Sequence, residues 1–111
     1  MDIQLKRGFI EICVLSSMLR DDSYGYKLIR DVSPYIEISE STLYPILKRL
    51  EAAGYVSVYS AEHNGRLRKY YSISSSGRSR ISEFLHEWES IMKVYNYIRE
   101  EFNNDKGTVF E

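Results

Sequence analysis

The sequence predicts a mainly α domain that carries one two-stranded β-hairpin and ends in a long helix. Three observations predict it. Three helical patterns lie within residues 3–54, an Asn64-Gly65 pair separates two aromatic-rich runs, and a seven-residue apolar repeat links Ile81 to Phe102. With 111 residues the chain is one domain with an appendage. Its core is expected to be small, because short chains bury a lower fraction of their surface.

The first helix is expected over residues 3–20. Leu5, Phe9, Ile12, Ser16 and Leu19 form one stripe, and Ile10, Val14 and Met18 form the opposite one. A helix apolar on both sides needs cover on both. One small core covers one side, so the other is expected to meet a second subunit; the alternative is a helix central to its own core. The second helix runs from about Ser23, a candidate N-cap, to Ser33, with Leu28, Ile29 and Val32 as its apolar face and Pro34 as its stop. The third starts at the candidate N-cap Ser39 and runs to Gly54, a suitable residue beyond a helix end.

Two strands follow, "YVSVYSA" and "LRKYYSIS", joined by "EHNGR", where Asn64-Gly65 is a strong hairpin-turn pair. Ser74 is placed to cap a last helix that reaches about Asn103. In it Ile81, Trp88, Tyr95 and Phe102 recur every seventh residue, with Phe84, Ile91 and Ile98 between them and Leu85 and Met92 widening the seam. About 27 helical residues span roughly 40 Å at 1.5 Å each, whereas a compact chain of this size has a radius of gyration near 13 Å, on the order of a third of that. The helix is therefore expected to project and to need a partner helix. A homodimer through this helix, with Phe9 of the first helix beside it, meets both needs. The expected division is residues 1–75 for the three helices and the hairpin, 76–104 for the dimerisation helix, and 105–111 as a frayed tail.

Charge is uneven although the net value is −1. Between Ser57 and Tyr70 stand Arg66, Arg68 and Lys69 against Glu62 alone, while Ser82 to Glu101 is acidic. Local attraction to phosphate fits this pattern. The single cysteine, Cys13, has no partner for an intrachain disulfide and lies in an apolar run. No apolar run approaches the roughly 18–20 residues of a membrane span. Glu11 interrupts any N-terminal signal-like segment, so a cytoplasmic protein is expected.

Three helices followed by a hairpin describe a winged helix-turn-helix, whose third helix enters the DNA major groove by its leading end. Leu43, Ile46, Leu47 and Leu50 make the buried side of that helix; Ser41, Tyr44, Pro45 and Lys48 are left outside. Pro45 sits early enough to cost little of the helical ladder. Ser39, Ser41, Thr42 and Tyr44 bring hydrogen-bonding side chains suited to phosphates or base edges. Asn64, Arg66, Arg68 and Lys69 at the hairpin turn fit a wing that grips phosphate or the minor groove. Ser23 and Tyr24 add a helix N-terminus near a phosphate. A solvated helix face and a merely soluble hairpin are the plainer alternatives.

These segments carry a resemblance. "RGFIEICVLSSML", "YGYKLI", "STLYPILKRLEAAGYV", "GRLRKYYSISSSGR" and "EFLHEW", in this order over about residues 6–90, resemble the PadR family of transcriptional regulators. The resemblance implies a dimeric winged-helix repressor that binds a palindromic operator and releases it when a small molecule binds. With one helix after the wing, the chain is similar to the small branch containing multidrug-sensing repressors, in which flat aromatic compounds insert between paired tryptophans. That likeness places Trp88 at the dimer centre, with Leu85, Met92 and Tyr95 and, from the first helix, Leu5, Gly8 and Ile12 around it. Glu11 and Glu89 are expected to offset a cation's charge. The residues by themselves also fit a filled seam in which Trp88 is simply packed.

Catalysis is not expected. His63 and His86 have no evident partners, a metal site needs more ligands at close spacing, and Gly25, Gly54, Gly65 and Gly77 form no phosphate loop. No cofactor or metal is expected. The rival reading is a winged-helix protein-interaction module whose last helix pairs with a different protein.

Overall fold

The computed structural model describes residues 1–105. Its elements are α1 (Ile3–Ser16), α2 (Gly25–Val32), α3 (Glu40–Ala52), β1 (Val56–His63), β2 (Arg66–Ile73) and α4 (Ser75–Asn104). This is the predicted class: helices with one antiparallel two-stranded sheet and a long last helix. Apart from Asp105, the tail expected to be frayed lies outside the described residues.

Local chemistry sets most boundaries. Asp2 caps α1, its Oδ2 accepting the N–H groups of Gln4 and Leu5, both at 3.1 Å. α1 ends at Ser16, short of the expected residue 20, because the backbone then tightens into i→i−3 bonds, Met18 to Leu15 at 3.1 Å and Leu19 to Ser16 at 3.2 Å. α3 is closed by Gly54, just past its C-cap Ala53, with φ of +79°. There the N–H of Tyr55 reaches Leu50 O at 2.9 Å and that of Gly54 reaches Glu51 O at 3.0 Å, a paired closure that satisfies terminal carbonyls. In the hairpin, Asn64 and Gly65 both have positive φ, 52° and 78°, which matches the twist of the flanking strands.

Two expected N-caps behave differently. Ser23 does not cap α2. Its backbone pairs with Tyr71, at 3.0 Å and 2.8 Å, so it is held extended, and Tyr24 takes the cap position. Ser39 does occupy the cap position of α3, yet its hydroxyl bonds other side chains instead of a backbone amide.

The core gathers Val14 and Leu15 of α1, Met18 in the turn after it, Leu28 and Val32 of α2, Leu43, Leu47 and Leu50 of α3, and Val56 and Tyr71 of the hairpin. The start of α4 is tied to the end of α3. Ser74 caps α4 by accepting the Gly77 N–H at 3.0 Å, and its hydroxyl donates to Gly54 O at 2.7 Å, which also accepts Ser76 Oγ at 2.9 Å. A Cβ on Gly77 would collide with the Tyr55 carbonyl oxygen and lie 2.7 Å from Ile73 Cγ1. Gly77→Ala is therefore expected to cost about 1–3 kcal/mol, the range for overpacking, read as a lower urea midpoint. An unchanged midpoint would show that this junction yields freely.

The chain divides into two compact units, Met1–Ile81 and the chain from Ser82 onward, so the division falls inside α4. In the second unit Phe84 and Trp88 are half-buried, with ring centroids 6.0 Å apart and planes tilted by 36°. Leu85, Ile91, Met92, Tyr95, Ile98 and Phe102 are exposed on the single chain. Among the described residues no helix is long and apolar enough to cross a membrane.

Candidate nucleic-acid interface

α3 is amphipathic by position. Leu43, Ile46, Leu47 and Leu50 are buried, while Ser41, Tyr44, Pro45 and Lys48 are exposed. Pro45 is the sixth residue of the helix and so removes only the bond that would reach the Ser41 carbonyl. At the leading end Ser39 Oγ lies 3.0 Å from Ser41 Oγ and 3.2 Å from Thr42 Oγ1. Three exposed hydroxyls thus surround the positive end of the helix dipole, an arrangement that attracts anionic oxygens.

The wing flank of α3 is built around Tyr44. A Cβ on Gly25 would collide with Tyr44 Oη and lie 3.0 Å from its Cζ, so the absence of a side chain at Gly25 gives Tyr44 its place. Tyr24, Tyr44, Arg68, Lys69 and Tyr71 line an open cleft of about 380 Å³ there. The Arg68 guanidinium lies 3.9 Å from the centroid of the Tyr24 ring, within cation–π range. Tyr24 meets Tyr70 edge-on at 5.8 Å, Tyr70 stacks on Tyr59 at 5.4 Å, and Tyr59 Oη donates to Asp22 Oδ2 at 2.6 Å. This relay ties the hairpin to the loop before α2 and aims Arg68. The hydrogen bond to Asp22 raises the Tyr59 pKa, and burial raises that of Tyr71, so both phenols stay neutral at physiological pH. Lys48, Arg66, Arg68 and Lys69 form no ion pair among the described residues.

Of the expected DNA-facing residues, the structure gathers Ser39, Ser41, Thr42, Tyr44 and Lys48 along α3, with Tyr24, Arg68 and Lys69 beside them. Asn64 and Arg66 are exposed at the hairpin turn, where Asn64 Nδ2 lies 3.2 Å from His63 Nε2. Ser23 is a correction: it is 0% exposed and its hydroxyl is buried with no hydrogen-bond partner among the described residues, so it offers no side chain to a phosphate. Asp22, Gly25, Tyr59 and Tyr70 were not anticipated. The hairpin alternation held part of the signal, because a two-residue turn at Asn64-Gly65 sets Tyr59 opposite Tyr70 on one face.

The expected ligand residues are less gathered. Leu85, Trp88 and Met92, with Glu89, Lys93 and Asn96, line a shallow hollow of about 480 Å³ on α4. Tyr95 is exposed farther along, with the Arg99 guanidinium 5.5 Å from its ring centroid. On α1, Leu5 is exposed, Ile12 is buried and Gly8 has open space where a Cβ would stand. Glu11, expected to face a cationic ligand, is instead engaged by Arg49, whose Nε and Nη2 reach its Oε1 at 2.8 Å and 2.6 Å. Ile81, placed in the dimer seam from its heptad position, is already buried in the single chain, and Phe9 is half-buried.

Comparison with known proteins agrees with this architecture. A Streptococcus mutans protein of known crystal structure is similar at 41% identity, with a TM-score of 0.77 over 85% of this chain and 89% of that one. A PadR family transcription regulator from Clostridium difficile is similar at 31% identity, TM-score 0.75, over 81% of this chain and 97% of the other. A transcriptional regulator of Mycobacterium tuberculosis is 28% identical over 72% of this chain and 76% of its own length. The model of the transcriptional regulator PadR-like family matches residues 14–83, more than half the sequence, and the chain belongs to that family.

Proposed function

We propose that this transcriptional regulator binds DNA as a homodimer and represses from a palindromic operator. The observation that carries the DNA reading is the exposed face of α3, where Ser41, Tyr44 and Lys48 stand between hydroxyls at the leading end and the cations of the wing. In this reading the leading end of α3 enters the major groove, Tyr44 and Lys48 meet bases or phosphates, and Arg66, Arg68, Lys69 and Asn64 hold the backbone from the wing. Dimerisation is supported by the run of exposed apolar side chains on α4, which repeats every seven residues.

The inducer in this proposal is a flat aromatic molecule seated against Trp88 at the dimer centre, with Glu89 beside it. The hollow along Leu85, Trp88 and Met92 supports it. Because Trp88 is the sole tryptophan, its fluorescence tests the idea directly. Titration with flat aromatic cations and phenolic acids is expected to give saturable quenching at about one ligand per dimer, the stoichiometry a single site on a twofold axis requires. A signal unchanged across the panel would remove the inducer and favour a filled seam, leaving DNA binding to stand on its own tests.

A further inference from the structure

The flank of α3 away from the wing carries a second cleft. It measures about 330 Å³ and lies between Lys6 and Arg7 of α1 and Ser41, Thr42 and Pro45 of α3, with Ile10 and Ile46 as its floor. Its place follows from helix geometry. Successive residues turn by roughly 100° at 3.6 per turn, so Tyr44 lies to one side of the Ser41–Lys48 line, and Thr42 and Arg49 lie to the other. Tyr44 lines the wing cleft; Thr42 and Arg49 line this one. Ser41, central on the outward face, borders it too.

A helix seated in the major groove has a phosphate backbone on each flank, because the groove is only about 12 Å wide. The wing cleft, with Arg68 and Lys69, answers one strand. The α1 cleft offers matching chemistry to the other. Lys6 and Arg7 have no carboxylate partner among the described residues, and the exposed Ile3 and Pro45 present apolar walls on which a deoxyribose can lie. The third cation of the cleft, Arg49, is already held by Glu11. Glu37 also borders the cleft and opposes an anion there, which leaves Lys6 and Arg7 as the cations free to act.

We propose that the α1–α3 cleft seats the sugar-phosphate backbone of the second DNA strand, with Lys6 and Arg7 as its phosphate contacts. This rests on the DNA-binding reading above. It extends the footprint from the helix-turn-helix and wing to α1, and it makes the Glu11–Arg49 pair a limit on binding, since that pair withholds one cation.

The test measures anisotropy of a labelled mixed-sequence duplex of about 30 base pairs, titrated with the full chain over a range of KCl, so no operator need be known. Lys6→Ala and Arg7→Ala are each expected to weaken binding about fivefold at 0.15 M salt and to flatten the log–log salt slope by about 0.9. Glu11→Gln, which frees Arg49, is expected to do the reverse. Both alanine substitutions remove exposed or half-exposed side chains, so unchanged thermal melting separates contact from folding. The Arg66→Ala variant serves as the wing control. If it weakens binding while the α1 variants do not, the inference is overturned and the DNA reading stands. If neither responds, the DNA reading itself falls. A parallel titration with 8-anilinonaphthalene-1-sulfonate covers the other occupant: dye binding lost in Lys6→Ala and Arg7→Ala, with DNA affinity intact, would make the cleft a small-anion site and overturn the proposal.

Discussion

Replacing Ile91 with Asp is expected to convert the protein to monomers and to remove tight operator binding in the same step. Ile91 lies on the exposed apolar face of α4, between the Phe84 and Ile98 positions of the repeat. In the proposed symmetric dimer each substitution appears twice across the interface. Burying an unpaired carboxylate costs at least several kcal/mol, so two copies should weaken dimerisation by a thousandfold or more, on the order of 4 kcal/mol. Operator binding follows because paired half-sites need two recognition helices about 34 Å apart. Light scattering after size exclusion reads the mass, and anisotropy reads the DNA. Trp88→Asp is expected to act likewise, but Trp88 already contacts Phe84 within its own helix, which makes Ile91 the cleaner site. A monomer that still bound a full palindrome tightly would refute the dimer model, and an unaffected dimer would assign the apolar face to another partner.

The wing arginines are expected to respond unequally to substitution. Arg66 is exposed at the turn and makes no ion pair among the described residues. As a phosphate contact it should lose about fivefold in affinity at 0.15 M salt when changed to Ala, similarly for every DNA sequence, with a slope flatter by about 0.9. Arg68 carries the same charge and also lies over Tyr24, next to Gly25 and Tyr44. Removing it frees Tyr24 and loosens the cleft, so Arg68→Ala should lose more than Arg66→Ala. Arg68→Lys should fall between, because an ammonium keeps the charge but lacks the flat face that stacks on the ring. Equal losses for both alanine variants would mean that the stacking on Tyr24 does nothing for DNA. No loss for either would sink the wing model.

What could be read in the chain was what short-range geometry dictates. The hairpin turn is written in Asn64-Gly65, since both residues take positive φ. The end of α3 is written in Gly54 and the start of α4 in Ser74, whose capping bonds close within a few residues. The buried side of α3 follows from the spacing of Leu43, Ile46, Leu47 and Leu50, all of which are buried. Helical periodicity also showed that α4 carries an apolar repeat, although not that Ile81 would be buried in its own chain.

The candidate interface was legible only in outline. Ser23 reads as an N-cap, a pattern of sequence neighbours, until Tyr71 arrives to pair its backbone. Glu11 looks available for a ligand until Arg49 takes it. Arg68 reads as one more wing cation, and nothing near it in the chain announces that Tyr24, across the fold, will hold its guanidinium. The sequence by itself therefore determined the elements, their order and their apolar faces. Tertiary structure decided which polar side chains are occupied and which remain open, in the wing cleft and in the α1 cleft alike. The reason is physical: caps, turns and amphipathic faces depend on residues a few positions apart, whereas an ion pair or a stacked ring depends on groups that only folding brings within 4 Å of each other.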